Sequence, residues 1–278
     1  MRVQDFLKGA TIPAPVFVAP SFNLMMVGGL LASQDVSNAV VLKNGRIAGA
    51  VYGYQVIRFL VDGSYGNLNQ RLHDELPPDS KMIPLAGVPL VTGMDEFETA
   101  LGKIAQKRFG DVILISIDDD PVGVVALPLV VRLLSQKGKC KMKVKEVASS
   151  PLKLITGDES ILEALNFMMA NRFRRVVFKR GSAFYSCTER EFLRAIFSVD
   201  GLQRIKDDPE SLLDQTVKSF AMDRASEVPV LHGSRKLEEA WEICADTPTT
   251  TAIVNGDMIA TPWDLVIKPF IERKLEFA

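Results

Sequence analysis

Cysteine and histidine are scarce in this sequence, which has three cysteines and two histidines among 278 residues. Cys140, Cys187 and Cys244 are far apart and form no C-x-x-C pair, which argues against a thiolate zinc cluster and a disulfide framework. His73 and His232 have no cysteine or carboxylate partner at metal-ligand spacing. The lack of cysteine pairs and of histidine ligand sets predicts a protein of the reducing cytoplasm without a metal site.

An excess of charge of either sign is also missing, since the formal net charge is -1. No global attraction to nucleic acid or to an anionic membrane surface is therefore expected. The segment 10–34 is uncharged, but Pro13, Pro15 and Pro20 interrupt it before it reaches the length of a membrane-spanning helix. The sequence predicts no membrane helix and, because Asp5 interrupts the basic start, no signal peptide.

Catalytic motifs are absent as well. The chain has no Walker lysine loop, no G-x-S-x-G elbow and no G-x-G-x-x-G after a strand. The acidic triplet Asp118, Asp119 and Asp120 has the composition of a hard-cation site, but its place between two apolar runs predicts a solvated hairpin turn. No nucleophile, base and metal set converges, so we predict that the protein is not an enzyme.

Four segments of the chain repeat one pattern. They begin at Pro15, Pro89, Pro151 and Glu227, and each opens with a short apolar run that leads into a segment of helical period. A small residue stands 13 positions after each start, which would let the helix approach a neighbour closely. These small residues are Gly28, Gly102, Ala164 and Ala240.

A predicted hairpin and a second helix follow in each segment. The hairpin turns fall at Gly45, Asp119, Gly181 and Gly256, which are 30, 30, 30 and 29 residues after the segment starts. The second helices begin near Tyr52, Ala126, Thr188 and Thr261. The sequence thus predicts an α/β (α+β) protein built from four tandem β-α-β-β-α units.

This order and spacing resemble the cystathionine-β-synthase (CBS) domain family, and the resemblance covers most of the chain. It implies repeats at about 10–62, 84–136, 142–198 and 216–272. Because CBS repeats usually pair, it also implies two modules, 1–137 and 138–278, joined through the lysine-rich segment 135–147.

The family's nucleotide-binding signature, Thr or Ser followed three residues later by Asp, has two counterparts. Repeat four reads "IATPWDL", with Thr261 and Asp264, and repeat three reads "SCTEREFL", with Thr188 and Glu191. A carboxylate can accept hydrogen bonds from both ribose hydroxyls, and a Thr hydroxyl can bind ribose or phosphate. The same residues also make good helix caps, so capping alone is the alternative interpretation.

Repeats one and two depart from the signature. Tyr52 and Gln55 occupy the two positions in repeat one, and Ala126 and Leu129 occupy them in repeat two. A leucine cannot hold a ribose, and the tyrosine would fill space that a ligand needs. The candidate site is therefore predicted in the C-terminal half, with repeat four as the better match.

Phosphate binding would need cations, and "NRFRRVVFKR" in repeat three supplies Arg174 and Arg175. By resemblance, these two match a basic pair that reaches phosphates in several nucleotide-binding CBS proteins. The alternative is a solvated basic strand end.

A second basic feature is "KGKCKMKVK", in which five lysines alternate with other residues. As an extended strand this segment would place all five on one face, where they could contact nucleic-acid phosphates. It has no interleaved aromatic residues for base stacking, so we favour a solvated linker.

The resemblance implies a regulatory sensor without a catalytic cofactor that binds AMP, ADP, ATP or S-adenosylmethionine. A homodimer or a regulated protein is the expected partner, and no membrane or nucleic-acid partner is expected. A degenerate CBS scaffold that mediates assembly without a ligand is the alternative, and nucleic-acid binding through the lysine run is a third hypothesis.

Overall fold

The computed structural model describes residues 1–61, 83–84, 88–107, 111–116, 118–221 and 223–277. Strands and helices alternate along it in the predicted order, which confirms the mixed α/β class. Four repeats can be followed in the described residues, each with a helix, an antiparallel hairpin and a second helix.

The N-terminal half contains the following elements. Helix α1 (Val3–Phe6) precedes repeat one, which comprises β1 (Phe17–Val18), α2 (Leu24–Ser33), β2 (Asn38–Lys43), β3 (Arg46–Tyr52) and α3 (Gly53–Val61). After β4 (Ile83–Pro84), repeat two comprises β5 (Leu90–Thr92), α4 (Phe97–Lys107), β6 (Asp111–Ile115), β7 (Pro121–Ala126) and α5 (Leu127–Lys137).

The C-terminal half begins with β8 (Gly138–Lys139) and α6 (Val144–Val147). Repeat three comprises α7 (Ile161–Asn171), β9 (Arg175–Arg180), β10 (Ala183–Thr188) and α8 (Glu189–Ile196). Three short helices follow: α9 (Val199–Asp207), α10 (Pro209–Leu213) and α11 (Val217–Phe220). Repeat four comprises β11 (Ser226–Val228), β12 (Val230–Leu231), α12 (Leu237–Ala245), β13 (Ala252–Val254), β14 (Met258–Ala260) and α13 (Pro262–Ile271), and β15 (Glu276–Phe277) ends the chain's described part.

Each repeat brings its first extended segment beside its hairpin. In repeats one, two and four the strand before the first helix is parallel to the first hairpin strand, as in the pairing of β1 with β2, β5 with β6 and β12 with β13. Repeat three has only a hydrogen bond of 3.0 Å from Ile155 N to Val177 O at this place. The predicted opening strand of repeat three is therefore reduced to a single extended contact.

The four predicted hairpin turns are confirmed by backbone conformation. Positive φ angles occur at Gly45, Asp119, Gly181 and Gly256. In repeat one Asn44 is also left-handed, and Lys43 pairs with Arg46 across the two-residue Asn-Gly loop. An Asn-Gly pair favours such a loop because both residues tolerate positive φ.

The chain folds into two compact units that do not coincide with the predicted modules. The unit that we call unit A contains residues 1–15, 88–153 and 226–278, whereas unit B contains 16–87 and 154–225. The chain changes unit within three residues of each predicted repeat start. Unit A therefore combines repeats two and four, and unit B combines repeats one and three, which differs from the expected division at residues 137 and 138.

The apolar faces of the helices explain this grouping. In unit B, α2 packs on α8, and a Cβ added to Gly28 would lie 2.2 Å from Cζ of Phe197. In unit A, α5 packs on α12. One buried apolar cluster is built from repeats one and three, and a second from repeats two and four with α1. Burial of apolar surface thus joins repeats that are distant in sequence.

The lysine-rich segment lies inside unit A and is not a linker between the two units. Only its middle is extended, because Lys137 ends α5 and Lys145 lies in α6. Cys140 and Met142 are buried in the core of unit A. The single strand with all five lysines on one face, considered for nucleic-acid contact, is therefore not formed. Exposed and buried residues do alternate from Lys139 to Lys143.

The long uncharged segment and the connections between repeats complete the fold. Helix α2, within the segment 10–34, has ten residues, and none of the described helices is long and apolar enough to span a membrane. The connection 199–216 between repeats three and four is helical in α9 and α10. His73 and most of the connection 62–85 lie outside the described residues.

Candidate functional site

The predicted Thr-x-x-Asp motif of repeat four begins α13. Thr261 is the N-cap, Pro262 is the first helical residue, and the Thr261 N–H and hydroxyl donate to Asp264 Oδ2 at 2.9 and 2.7 Å. Asp264 is 2% exposed. Two donors at the helix start are satisfied in this way, as the capping interpretation predicts.

The other oxygen of Asp264 is also occupied. Its Oδ1 accepts a hydrogen bond from the Ser149 hydroxyl and forms an ion pair with the Lys268 ammonium, both at 2.7 Å. Lys268 Nζ additionally donates to Val147 O at 2.6 Å. Both oxygens of Asp264 are therefore engaged by groups of the chain itself, and a ribose hydroxyl would have to compete with them.

The equivalent motif of repeat three leaves an acceptor open. The Thr188 N–H donates to Glu191 Oε2 at 2.7 Å, and the Thr188 hydroxyl makes a short hydrogen bond to the same oxygen. Within the described parts of the chain no donor reaches Oε1 of Glu191, whose residue is half-buried. This carboxylate can therefore accept a hydrogen bond from a ligand without breaking its cap.

Arg174 and Arg175 lie beside this motif. Arg175 is paired with Thr188 across β9 and β10, and Glu189 N donates to Arg174 O at 3.0 Å. The fold thus brings four of the six predicted site residues together in repeat three of unit B. Thr261 and Asp264 belong to unit A.

The side chain of Arg174 is held by its surroundings. Its Nε lies 3.2 Å from the buried Glu189 carboxylate, and its guanidinium lies 5.9 and 5.7 Å from the ring centroids of Tyr52 and Tyr54. Burial raises the pKa of the Tyr54 phenol, and the Arg174 charge opposes that rise. Arg174 therefore connects repeat three to repeat one within unit B.

The degenerate motifs occupy the same positions in repeats one and two. Tyr52 N donates to Gln55 Oε1 at 2.8 Å, which is the bond that Thr188 and Thr261 make to their acidic partners. Tyr52 is fully buried, in agreement with the expectation that it fills the space. In repeat two Ala126 caps α5 without a side-chain hydrogen bond, since Leu129 has no acceptor.

Two buried polar positions near the motifs are not marked by any sequence pattern. Ser186 alternates with Thr188 on β10, is fully buried, and its hydroxyl has no hydrogen-bond partner in the described residues. Thr250, next to β13, is 5% exposed and has a φ of 48°, which is rare for a β-branched residue. Neither position could be predicted, because burial and φ depend on tertiary packing.

Other candidate sites behave as simple structural features. The Ser116 hydroxyl accepts from the N–H groups of Asp118 and Asp120, so the acidic triplet is an exposed turn. His232 is exposed and contacts Ser234. Among the described residues, no group of three His, Cys, Asp or Glu side chains could hold a metal ion.

The cysteines are structural as well. Cys140, Cys187 and Cys244 are buried free thiols. Burial raises the pKa of Cys187 well above its ordinary value, and the nearby Glu191 carboxylate adds to the rise. Such a thiol is a poor nucleophile because little of it is ionised.

Comparisons with known proteins identify the fold. No protein-family model and no curated protein matches the chain. Among solved structures, MJ1225 from Methanocaldococcus jannaschii, described as a candidate archaeal homolog of g-AMPK, has a TM-score of 0.78 at 15% identity and covers 97% of this chain and 100% of its own. An uncharacterized conserved protein from Pyrococcus horikoshii has a TM-score of 0.56 at 13% identity over 97% of this chain and 100% of its own.

A shorter protein, the CBS-pair protein CBSX2 from Arabidopsis thaliana, covers 49% of this chain and 94% of its own length, with a TM-score of 0.37 and 19% identity. Identities this low establish likeness of fold and do not transfer a ligand. Four β-α-β-β-α repeats, matched over nearly the whole length by MJ1225, give this chain the fold of tandem CBS-domain proteins.

Proposed function

We propose that this chain is a non-catalytic regulatory protein that binds an adenosine-containing small molecule, with AMP, ADP, ATP and S-adenosylmethionine as the candidate ligands. The observation that carries the proposal is the Thr188–Glu191 motif, which has an open carboxylate oxygen and whose Thr188 lies opposite Arg175 in the hairpin. The similarity to the candidate g-AMPK homolog MJ1225 supports the same class of function.

Repeat three is the first candidate position. Glu191 Oε1 would accept hydrogen bonds from ribose hydroxyls, and the Thr188 hydroxyl could turn to ribose or phosphate. Arg174 and Arg175 would bind phosphate, and Arg174 would share its charge between the phosphate and Glu189. The N-terminus of α8 adds backbone N–H groups that favour an anion.

Repeat four is the second candidate position. Binding of ribose by Asp264 and Thr261 would require Ser149 or Lys268 to release Oδ1. Part of the binding free energy would then be lost in breaking these bonds. We therefore rank this position below repeat three, which reverses the order that the motif match favours.

The proposed mechanism is a shift of population. A ligand that binds one arrangement of a repeat more tightly than another favours that arrangement and changes contacts to a partner protein or a second copy of the chain. A ligand at 100 times its Kd stabilises the folded state by about 2.7 kcal/mol. The effect is large enough to be detected as a shift in Tm.

The test is a thermal unfolding series with each of the four candidate ligands, followed by calorimetric titration. Glu191→Gln is the informative variant, because repeat one already forms the same cap with Gln55. We expect the variant to keep the wild-type Tm and to lose about tenfold in affinity, since a charged acceptor is replaced by a neutral one. Asp264→Asn reports on repeat four in the same assay.

The absence of a Tm shift in the wild-type protein with every ligand at millimolar concentration would overturn the sensor proposal. Equal affinity of the wild type and the Glu191→Gln variant would overturn only the assignment to repeat three. A selective loss in Asp264→Asn would move the site to repeat four.

A second candidate function, a CBS scaffold that mediates assembly without a ligand, is favoured by the closed Asp264 cap. That carboxylate accepts three hydrogen bonds from the chain itself and forms an ion pair with Lys268. This function predicts no response to any adenosine compound and a stable homodimer or complex. Sedimentation analysis of the purified chain with and without ligand separates it from the sensor.

A further inference from the structure

A basic surface in unit A lies outside the candidate ligand site. Lys139, Lys141 and Lys143 are exposed, whereas Cys140 and Met142 between them are each 3% exposed and belong to the core. The buried residues fix the backbone, so the three ammonium groups are presented on the same side at intervals of about 7 Å. We call these three lysines, together with Lys236, the lysine row.

Lys236 lies on the neighbouring segment, next to the other lysines of the row. It pairs with Lys143 in an isolated antiparallel bridge, which places two like charges side by side. Like charges at directly opposite positions are destabilising, so an anionic partner would relieve a repulsion that the fold imposes. The adjacent charges of Lys143 and Lys236 therefore favour the binding of an anionic partner at this surface.

The described carboxylates of the chain do not neutralise the lysine row. None of its four lysines makes an ion pair with a described residue, and the neighbouring carboxylates Glu146 and Glu238 accept hydrogen bonds from backbone N–H groups. Lys139 lies in β8, whose backbone pairs with β15, and Lys141, Lys143 and Lys236 form the rest of the row. Lys137 is used differently, because its ammonium donates to Phe6 O at 2.9 Å.

We propose that the lysine row docks an extended acidic segment of a partner protein, with carboxylates at alternate positions. An extended peptide repeats its side chains with the same interval of about 7 Å as the row, so successive carboxylates can meet successive lysines. The segment 137–145 has no aromatic residue on which a base could stack. The lack of a stacking platform therefore favours a polypeptide over nucleic acid, independently of nucleotide binding.

Fluorescence anisotropy with a labelled peptide of about twelve alternating Glu and Thr residues tests this interface. A block peptide of the same composition, with all Glu residues first, controls for charge alone. The protein variant is Lys141→Gln/Lys143→Gln/Lys236→Gln. The matched control, Lys43→Gln/Lys179→Gln/Lys206→Gln, removes the same charge from exposed positions of unit B.

We expect the alternating peptide to bind the full-length protein more tightly than the block peptide, and we expect about a tenfold loss in the first variant but not in the control. Binding should weaken as salt rises, because surface ion pairs are screened. Equal binding of both peptides, equal losses in both variants, or no binding would overturn the proposal. Tighter binding of a single-stranded oligonucleotide that is lost in the first variant would assign the row to nucleic acid instead.

Discussion

At the scale of single residues, Asp264 and Glu191 occupy equivalent positions but use their carboxylates differently. Both accept from the N-cap threonine, yet only Asp264 also accepts from Ser149 and pairs with the Lys268 charge. The extra donors come from α13 itself and from the segment before repeat three. The same short motif can therefore be a closed structural cap in one repeat and an accessible acceptor in another.

We predict that Asp264→Ala lowers the free energy of unfolding by about 2–3 kcal/mol, because a cap and a largely buried ion-pair partner are lost together. Glu191→Ala should cost about 1 kcal/mol, since it removes only a cap. Urea denaturation of the two variants beside the wild type measures both values. Equal costs would mean that Lys268 and Ser149 contribute nothing through Asp264.

For Ser186 we predict a substitution that raises the free energy of unfolding. A buried hydroxyl without a partner is unfavourable, so Ser186→Ala should raise the free energy of unfolding by about 1 kcal/mol. Ser160→Ala is the matched control, because the Ser160 hydroxyl accepts from Glu163 N at the start of α7, and its loss should cost about 1 kcal/mol. A stability loss in Ser186→Ala would show that this hydroxyl has a partner.

At the scale of elements, the small residues in the first helix of each repeat are not equivalent. Gly28 lets α2 approach Phe197, whereas a Cβ at Gly102 would meet no atom within 4 Å. The expected close approach is thus confirmed for Gly28 and is wrong for Gly102. Ala164 and Ala240 are fully buried, as the pattern predicts.

This difference predicts opposite effects of one substitution. Gly28→Ala should destabilise by about 1–2 kcal/mol, because overpacking outweighs the gain in helix propensity. Gly102→Ala should stabilise by about 1 kcal/mol, because only the propensity changes. Thermal and urea unfolding of the two variants check the signs, and a stabilised Gly28→Ala would contradict the packing of α2 on Phe197.

The elements themselves were largely predictable from local signals. Turn residues with positive φ marked all four hairpins, and helical periodicity marked both helices of each repeat. The opening strand of repeat three was not predictable, because its formation depends on how many hydrogen bonds the neighbouring hairpin offers. In the candidate site, the positions of the threonine and acidic residues could be predicted from the sequence. Whether other side chains donate to the carboxylates of Asp264 and Glu191 could not.

At the scale of the whole molecule, each apolar core takes one repeat from either half of the chain. Fragments 1–137 and 138–278 should therefore fail to fold separately, since each would expose the helix faces that the other covers. We expect no cooperative unfolding transition for either fragment alone and a gain of structure when both are refolded together. A cooperative transition in one isolated fragment would contradict the grouping of repeats into units A and B.

The sequence by itself determined the repeat, its period, its turns and the residues that begin each second helix, because these depend on interactions between near neighbours. Tertiary structure alone decided which repeats share a core, which carboxylate remains open and which lysines lie side by side. Those properties arise between residues distant in the chain, where apolar burial and hydrogen-bond donors from other segments compete for the same side chains. For that reason the motif that matches best, at Asp264, is closed, and the weaker match at Glu191 retains an open acceptor.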